Sequence, residues 1–484
     1  MLVTFLRKYK VNASFHIPDR FEEGYGLNTS WFTREKLNEL GSEFLLITVD
    51  CGISNCHEVQ WLQKRGATVV VTDHHSITEE NLPDCIIVNP SMKSCGFNNE
   101  KLCGAGIAFY LAVAIRSVLA SKTGKLGELS KKINLKRFLA LVALGTLGDL
   151  VELTKTNRVL VRAGMEVLTG NPPLGIKELM NSCELCGSIL TSEDLGFLVC
   201  PKINASGRLG DNHTAINLLI EEDRLQAAKF AKKLSSHNQE RKRITREAKD
   251  YALKNINPAA VSENKIVFVS GEFHIGVVGL VASKLVEQFG VPAIVLGPAK
   301  SKGSKRVYVG SARSVQGVHI ADVIEKCSKW LIKSGGHAMA AGLSILEENI
   351  QGFEKNISSI TSCINYYDIV NSIVCDINCP VDILLSDSVI SQYNLLEPFG
   401  PGNETTVFID NSAQIVDARR VGGNGEHLQL IIRGKLSNYK GIGFNLGEKC
   451  SDVQKNPTKS IRYSPTVNRF RRTTSWQVRV IDIM

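Results

Sequence analysis

The sequence has no apolar run near the ~20 residues that cross a bilayer. Its opening, Met1 to Pro18, holds too short an apolar core and no small-residue cleavage site for a secretory signal. The expectation is a cytoplasmic protein with no membrane partner. Aromatic residues are scarce, at 7%, whereas glycine is plentiful, at 40 residues, a balance that suits an α/β protein with many tight turns. Internal repeats and low-complexity segments are lacking. Of thirteen cysteines only Cys183 and Cys186 form a C-x-x-C pair, with no second pair to complete four zinc ligands. They read as core thiols, and an odd cysteine count without an export signal predicts no disulfides. Hydrophobic residues at 43% and charged residues at 22% exclude disordered, collagenous and coiled-coil chains. At about 150 residues per domain, 484 residues make about three domains.

Charge is the one property unevenly spread. The net charge is +9, and Lys449 to Met484 carries eight basic residues against two acidic ones, six of the nine excess charges. A terminal basic block points to a polyanionic partner, or to a solvated or charge-protected sheet edge.

The first half alternates strands and helices. Phe44–Asp50, Ala67–Asp73 and Cys85–Pro90 are apolar runs separated by helical stretches such as Glu58–Lys64. Continuous apolar strands with helices between them predict a parallel sheet covered on both faces. A helical region follows from Gly104 to about Met180, including the apolar stretch Lys136–Gly145. The run Glu221–Lys254 is charged and free of glycine and proline, which predicts one long connecting helix ended at Asn257-Pro258. A second α/β unit starts at Lys265–Ser270, with a helix from Val277 to Phe289 and a strand at Pro292–Leu296. From about Ile369 the pattern turns to short strands and glycine-rich turns: Thr406–Ile409, His427–Ile432, Gly441–Phe444 and Trp476–Val480, which suits a small β-barrel or sandwich.

Asp50 and the triplet Asp73-His74-His75 fall at the carboxyl ends of predicted parallel strands, the edge where open α/β sheets bind ligands. Carboxylates beside two imidazoles form a mixed oxygen and nitrogen donor set that suits Mn²⁺, Zn²⁺ or iron. Each aspartate alone would equally well cap the following helix. Asp149 ends an apolar helix, where an acid opposes the helix dipole and calls for a compensating cation, unless the helix already stops at Gly145 or Gly148.

Val71-Thr-Asp-His-His75 resembles the signature of the DHH phosphoesterases, and the match is close to the RecJ family of single-strand-specific DNA exonucleases. Further ordered matches are Ile17–Arg20 with Glu22–Asn28, Thr48–Gly52, Gly145–Asp149, Pro201–Gly210, Phe273–Gly279, Gly310–Ser314, Gly335–His337 and Glu397–Asn403. The resemblance implies a parallel-sheet DHH domain over 1–220, a connecting helix over 221–256, a DHHA1 domain over 257–360 and an oligonucleotide-binding (OB) β-barrel over 365–484. It implies hydrolysis of single-stranded DNA from the 5′ end to mononucleotides, in repair and recombination, with Mn²⁺ or Mg²⁺ as cofactor in a two-metal site. The alternative is a single-strand-binding or scaffold protein without catalysis. Partners implied are single-stranded DNA, with a single-stranded-DNA-binding protein and a helicase.

By the same resemblance Asp50, His74, His75 and Asp149 are metal ligands, Asp73 orients a histidine from behind, and His337 faces the active site from the second domain, the plainer alternative for Gly335–His337 being a tight turn beside a small-residue helix over Ala338–Gly342. Arg20, Ser311 and Arg313 match positions that hold the 5′ phosphate, although a salt bridge from Arg20 to Glu22 or Glu23, and a surface charge at Arg313, are the plainer alternatives. Asn204 and Arg208 contact DNA or hold the site together. Arg469, Arg471 and Arg472 are the expected DNA contacts of the basic block. Phe470 or Trp476 would stack on bases, with the barrel core the preferred place for Trp476. The family's first motif, D-x-D-x-D-G, is expected upstream of Met1, which leaves a partial ligand set and predicts strand binding with weak hydrolysis.

Overall fold

The computed structural model describes residues 1–24, 26–77, 81–97, 101–185, 187, 189–299, 305–364, 375–470 and 473–484. The first region opens with α1 (Leu2–Arg7) and α2 (Arg34–Leu40), then β1 (Phe44–Val49), α3 (Cys56–Gln63), β2 (Ala67–Thr72) and β3 (Ile86–Val88). The strands are parallel in the order β1-β2-β3, with Phe44 opposite Ala67 and Val70 opposite Ile86. The three apolar runs therefore form the expected parallel sheet. β2 is well covered, but β1 pairs with β2 alone among the described strands, and its Leu45 and Val49 are exposed.

Helices pack beside this sheet: α4 (Gly104–Ala120), α5 (Lys125–Lys132), α6 (Leu139–Gly148), α7 (Lys155–Gly170), α8 (Leu174–Asn181), the single turn α9 (Ser192–Asp194), α10 (Cys200–Arg208) and α11 (Thr214–Ile220). α6 is apolar all round because it is buried all round, with Ala140, Val142, Ala143, Leu144 and Leu147 in the core. Its partner α7 approaches so closely at Gly164 that a Cβ there would lie 2.3 Å from the Leu139 carbonyl oxygen.

α12 (Arg224–Asn255) is a single helix of 32 residues, about 48 Å long at 1.5 Å per residue. Ala227, Ala231 and Leu234 join the helical core of the first region, while Ala248 and Ala252 join the core of the second. Asn257 then caps α13 (Pro258–Asn264), accepting from the Ala259 N–H.

The second sheet is formed by β4 (Val267–Ser270), β5 (Ala293–Pro298), β6 (Val307–Arg313), β7 (Leu331–His337) and β8 (Ala340–Leu346), in the order β4-β5-β6-β8-β7. Only β4 and β5 are parallel. α14 (Val278–Phe289), α15 (Ile320–Glu325) and α16 (Ile350–Ser362) cover it. One sequence expectation is corrected here. Ala338–Gly342, taken as a small-residue helix, is the turn of the β7–β8 hairpin and the start of β8. Ala341, Leu343 and Ile345 are buried with period two, and Gly336 lets the paired backbones close up, since a Cβ on it would meet the Ala340 carbonyl at 2.4 Å.

The last region has β9 (Ile377–Asn378), α17 (Val381–Leu384), α18 (Asp387–Tyr393), β10 (Phe408–Val421), β11 (His427–Arg433), β12 (Asn438–Gly443), α19 (Cys450–Lys455), β13 (Thr458–Phe470) and β14 (Thr473–Ile483). β10 pairs with both β11 and β13, and β12 with β14, which closes a five-stranded barrel around Leu428, Leu430, Ile432, Tyr463 and Val478. A helix between the third and fourth strands of a closed five-stranded barrel is consistent with an OB fold. Among the described residues the cysteines are free thiols and no helix is long and apolar enough to cross a membrane. Cys183 is among them, and Cys186 lies outside the described residues.

Candidate active site

Asp50 directly follows β1, and its N–H donates to the Thr72 carbonyl, so it extends the strand pairing. Its φ of +66° is left-handed, a conformation that aspartate tolerates better than most residues. The α4 N-terminus presses against it: a Cβ on Gly104 would lie 2.5 Å from the Asp50 Cβ, so only glycine leaves this carboxylate its place.

Asp73 follows β2 and is 1% exposed. One of its oxygens accepts from the His74 N–H (2.8 Å), the His75 N–H (3.2 Å) and His75 Nδ1 (2.6 Å), the other from the Ile53 N–H (3.1 Å). Burial alone would push this carboxyl up, but the hydrogen bonds from His75 and Ile53 outweigh it and hold it below the ordinary range. With Nδ1 turned to Asp73, His75 keeps Nε2 for another partner.

His74 Nε2 lies 2.9 Å from Asp50 Oδ1 and 3.5 Å from Asp149 Oδ2. The Asp50 hydrogen bond raises the His74 pKa, and the Asp73 hydrogen bond raises that of His75. Asp149 occupies the cap position after Gly148, so α6 does run to the expected end. Burial raises its carboxyl, with His74 opposing. Donor atoms of Asp50, His74 and His75 fall within 4.8 Å of one another. Two carboxylates facing one imidazole nitrogen are satisfied either by a proton on His74 or by a divalent cation. The oxygen and nitrogen donors fit Mn²⁺, and Mg²⁺ through the carboxylates.

A second group gathers where the first region, α12 and the second sheet meet. Arg313 donates from Nη1 to Ser311 Oγ (2.7 Å) and to the Ala312 carbonyl (2.8 Å). Both side chains lie against the start of α14, where a Cβ on Gly279 would sit 2.9 Å from Arg313 Nη2 and 3.1 Å from Ser311 Oγ. Arg208 donates to the Gly276 carbonyl (3.2 Å) in the same loop. Burial, joined by repulsion from Arg208, lowers Arg20 to about 10, and the same two causes lower Arg313. Glu23 pairs with His16 at 2.8 Å.

The remaining expected residues scatter. Asn204 is exposed on α10, and His337 is exposed at the end of β7, with no hydrogen bond to the histidine–carboxylate cluster among the described residues. Arg471 and Arg472 lie outside the described residues, as does the Phe470 side chain. Arg469 reaches back to Asp194 at 2.5 Å and is partly buried, so its guanidinium is paired between barrel and first region. Trp476 packs on the barrel core and lines a cavity of about 180 Å³ between barrel and first region, with Leu147, Phe399 and Arg479. One residue escaped the sequence reading. Arg241 of α12 is lowered by burial and by Arg208, which places it in the arginine group. Its only sequence signal is a basic residue in a helix full of them.

A strand edge carrying a histidine–carboxylate cluster, a second sheet joined to it by a long helix and a closed barrel are the parts expected of a DHH domain, a DHHA1 domain and an OB domain. Family models match in that order: the DHH family N-terminal domain over residues 1–146, the DHHA1 domain over 263–362 and the RecJ OB domain over 375–482. The single-stranded-DNA-specific exonuclease RecJ of Haemophilus influenzae is 33% identical, with 97% of this chain and 82% of that protein covered. The Bacillus subtilis protein of the same name is 33% identical over 99% of this chain, which spans 58% of its length. The crystal structure of RecJ in complex with Mn²⁺ from Thermus thermophilus superposes with a TM-score of 0.78 at 25% identity, covering all of this chain and 66% of that one. The chain belongs to the RecJ family.

Proposed function

We propose that this chain is a divalent-cation-dependent exonuclease that hydrolyses single-stranded DNA from the 5′ end to mononucleotides during repair and recombination. The observation that carries this reading is the convergence of Asp50, His74 and His75 at adjacent strand ends, with Asp149 brought to His74 by the end of α6. Relatives named as single-stranded-DNA-specific exonucleases and the Mn²⁺ complex of the Thermus protein support it.

Asp50, His74, His75 and Asp149 would hold the ion. A bound Mn²⁺ or Mg²⁺ supplies a more acidic water and charge stabilisation at a phosphoryl oxygen. Asp73 fixes the ring of His75 so that Nε2 presents its lone pair. Arg313, Ser311 and Arg20 bind the terminal phosphate, with guanidinium forks matched to phosphate oxygens and a hydroxyl as a further donor. Arg208 and Asn204 contact the strand, and His337 is open to a substrate lying between the domains.

The test is digestion of 5′-phosphorylated single strands with Mn²⁺, following mononucleotide release. Asp50→Ala is expected to lower turnover by about 10²-fold or more while strand binding persists. Unchanged turnover in that variant would remove Asp50 from the site.

A further inference from the structure

α12 changes character along its length. Its ends carry small apolar residues into the two cores, Ala227, Ala231 and Leu234 on one side and Ala248 and Ala252 on the other. Between them the inward stripe is polar: Asn238 at 7% exposure, Arg241, and Thr245 at 5%. Thr245 is satisfied by donating to the Arg241 carbonyl at 2.7 Å. Asn238 Oδ1 and Arg241 Nε are shielded from solvent and have no hydrogen-bond partner among the described residues. A helix that merely joined two cores would place apolar side chains here, because unpaired buried polar groups are costly.

The surroundings make the cost larger. Arg241 lies beside Arg208, which also repels Arg20 and Arg313, and no ion pair reaches Arg208, Arg241 or Arg313 among the described residues. The nearby carboxylate Asp211 is already taken by Lys233 at 2.7 Å and by Thr214. Guanidinium groups held together and partly buried favour an anion, whose oxygens would accept from N–H donors arriving from several elements.

We infer that Arg241 is a further ligand of the 5′-terminal phosphate, so that the bound strand end is gripped by both domains and by the helix between them. This rests on the proposed terminal-phosphate role of Arg20, Ser311 and Arg313, and it assigns α12 to the binding site rather than to connection alone.

The test measures binding of the full chain, without divalent cation, to 3′-labelled single strands bearing a 5′ phosphate or a 5′ hydroxyl. Arg241→Gln is expected to weaken binding of the phosphorylated strand by about ten- to a hundredfold, the value of a charge-assisted hydrogen bond, and to leave the hydroxyl strand within about threefold. Lys242→Gln, the same charge removed from the exposed neighbouring position, is expected to leave the end preference intact. If the unaltered chain shows no preference for the 5′ phosphate, the terminal-phosphate reading falls and this inference with it. If the unaltered chain discriminates and Arg241→Gln discriminates equally, or weakens both strands alike, this inference alone is overturned. Should the glutamine variant melt below the assay temperature, Arg241→Lys carries the test: a shorter, single-point donor is expected to lose part of the preference, and full preference overturns the assignment.

Discussion

Arginines gather at two junctions of this molecule, and they do different things there. Where the barrel meets the first region, each has an acid: Arg469 reaches Asp194, and Arg479 reaches Glu193. Where the second sheet meets the first region, Arg208, Arg241 and Arg313 have none among the described residues and repel one another through Arg208. The first arrangement is complete without a ligand and ties two domains together. On the proposed reading, an anion completes the second. Residue type and burial are similar in both, so the two junctions differ in whether a carboxylate is within reach of each guanidinium.

Breaking the paired junction should have the larger effect on folding. Arg469→Ala leaves Asp194 buried without its cation, and removal of one partner of a buried pair costs about 3–5 kcal/mol. Thermal melting and limited proteolysis should show the barrel loosened, with the preference for a 5′ phosphate unchanged. A loss of end preference without loss of stability would show that Arg469 touches DNA after all. At the unpaired junction Arg313→Ala should do the reverse. Stability should hold or rise, because a desolvated and repelled cation is removed, while the affinity advantage of a 5′-phosphorylated strand falls by about ten- to a hundredfold. Equal losses on phosphorylated and hydroxyl strands would erase the distinction between the two junctions.

Much of this was readable in the sequence where the determinants are local. A strand-end aspartate, a carboxylate followed by two histidines, and an acid closing an apolar helix are set by a few adjacent residues. Asp50, Asp73, His74 and His75 accordingly meet where strand-edge reasoning put them, and the end of α6 brings Asp149 to His74 as the family resemblance implies. The pairing of Arg469 and Arg479 within the basic C-terminal block was not readable, because their partners Asp194 and Glu193 lie well over 250 residues away in the chain. Ala338–Gly342 looked helical by composition, yet its fate was decided by pairing with β7 and β6. Arg241 was hidden for the opposite reason: α12 has charges on every side, and only the positions of the two cores show which of them faces inward.

The smallest effect expected is a shift in how the paired junction answers to pH. Glu397 is buried against Ser192, whose Oγ donates to Oε2 at 2.8 Å, while the Phe399 N–H donates to the same oxygen at 3.0 Å. Burial pushes its carboxyl above the ordinary value of 4.5, and Asp194 nearby adds to the rise, whereas the hydrogen bonds from Ser192 and Phe399 oppose it. A carboxyl whose folded-state pKa is raised binds its proton more tightly in the native state. Its contribution is therefore largest below the unfolded value and is lost as pH rises through the folded one. Glu397→Gln keeps an acceptor for both hydrogen bonds and removes the charge. The variant's melting temperature should then fall less than that of the unaltered chain between acid and neutral pH, and should be slightly higher at neutral pH. The arginine pocket offers the control, because guanidinium groups stay charged across that range and Arg313→Ala should leave the pH profile of melting where it was. A Glu397→Gln profile parallel to that of the unaltered chain would overturn the role given to Glu397 in the response of this junction to pH.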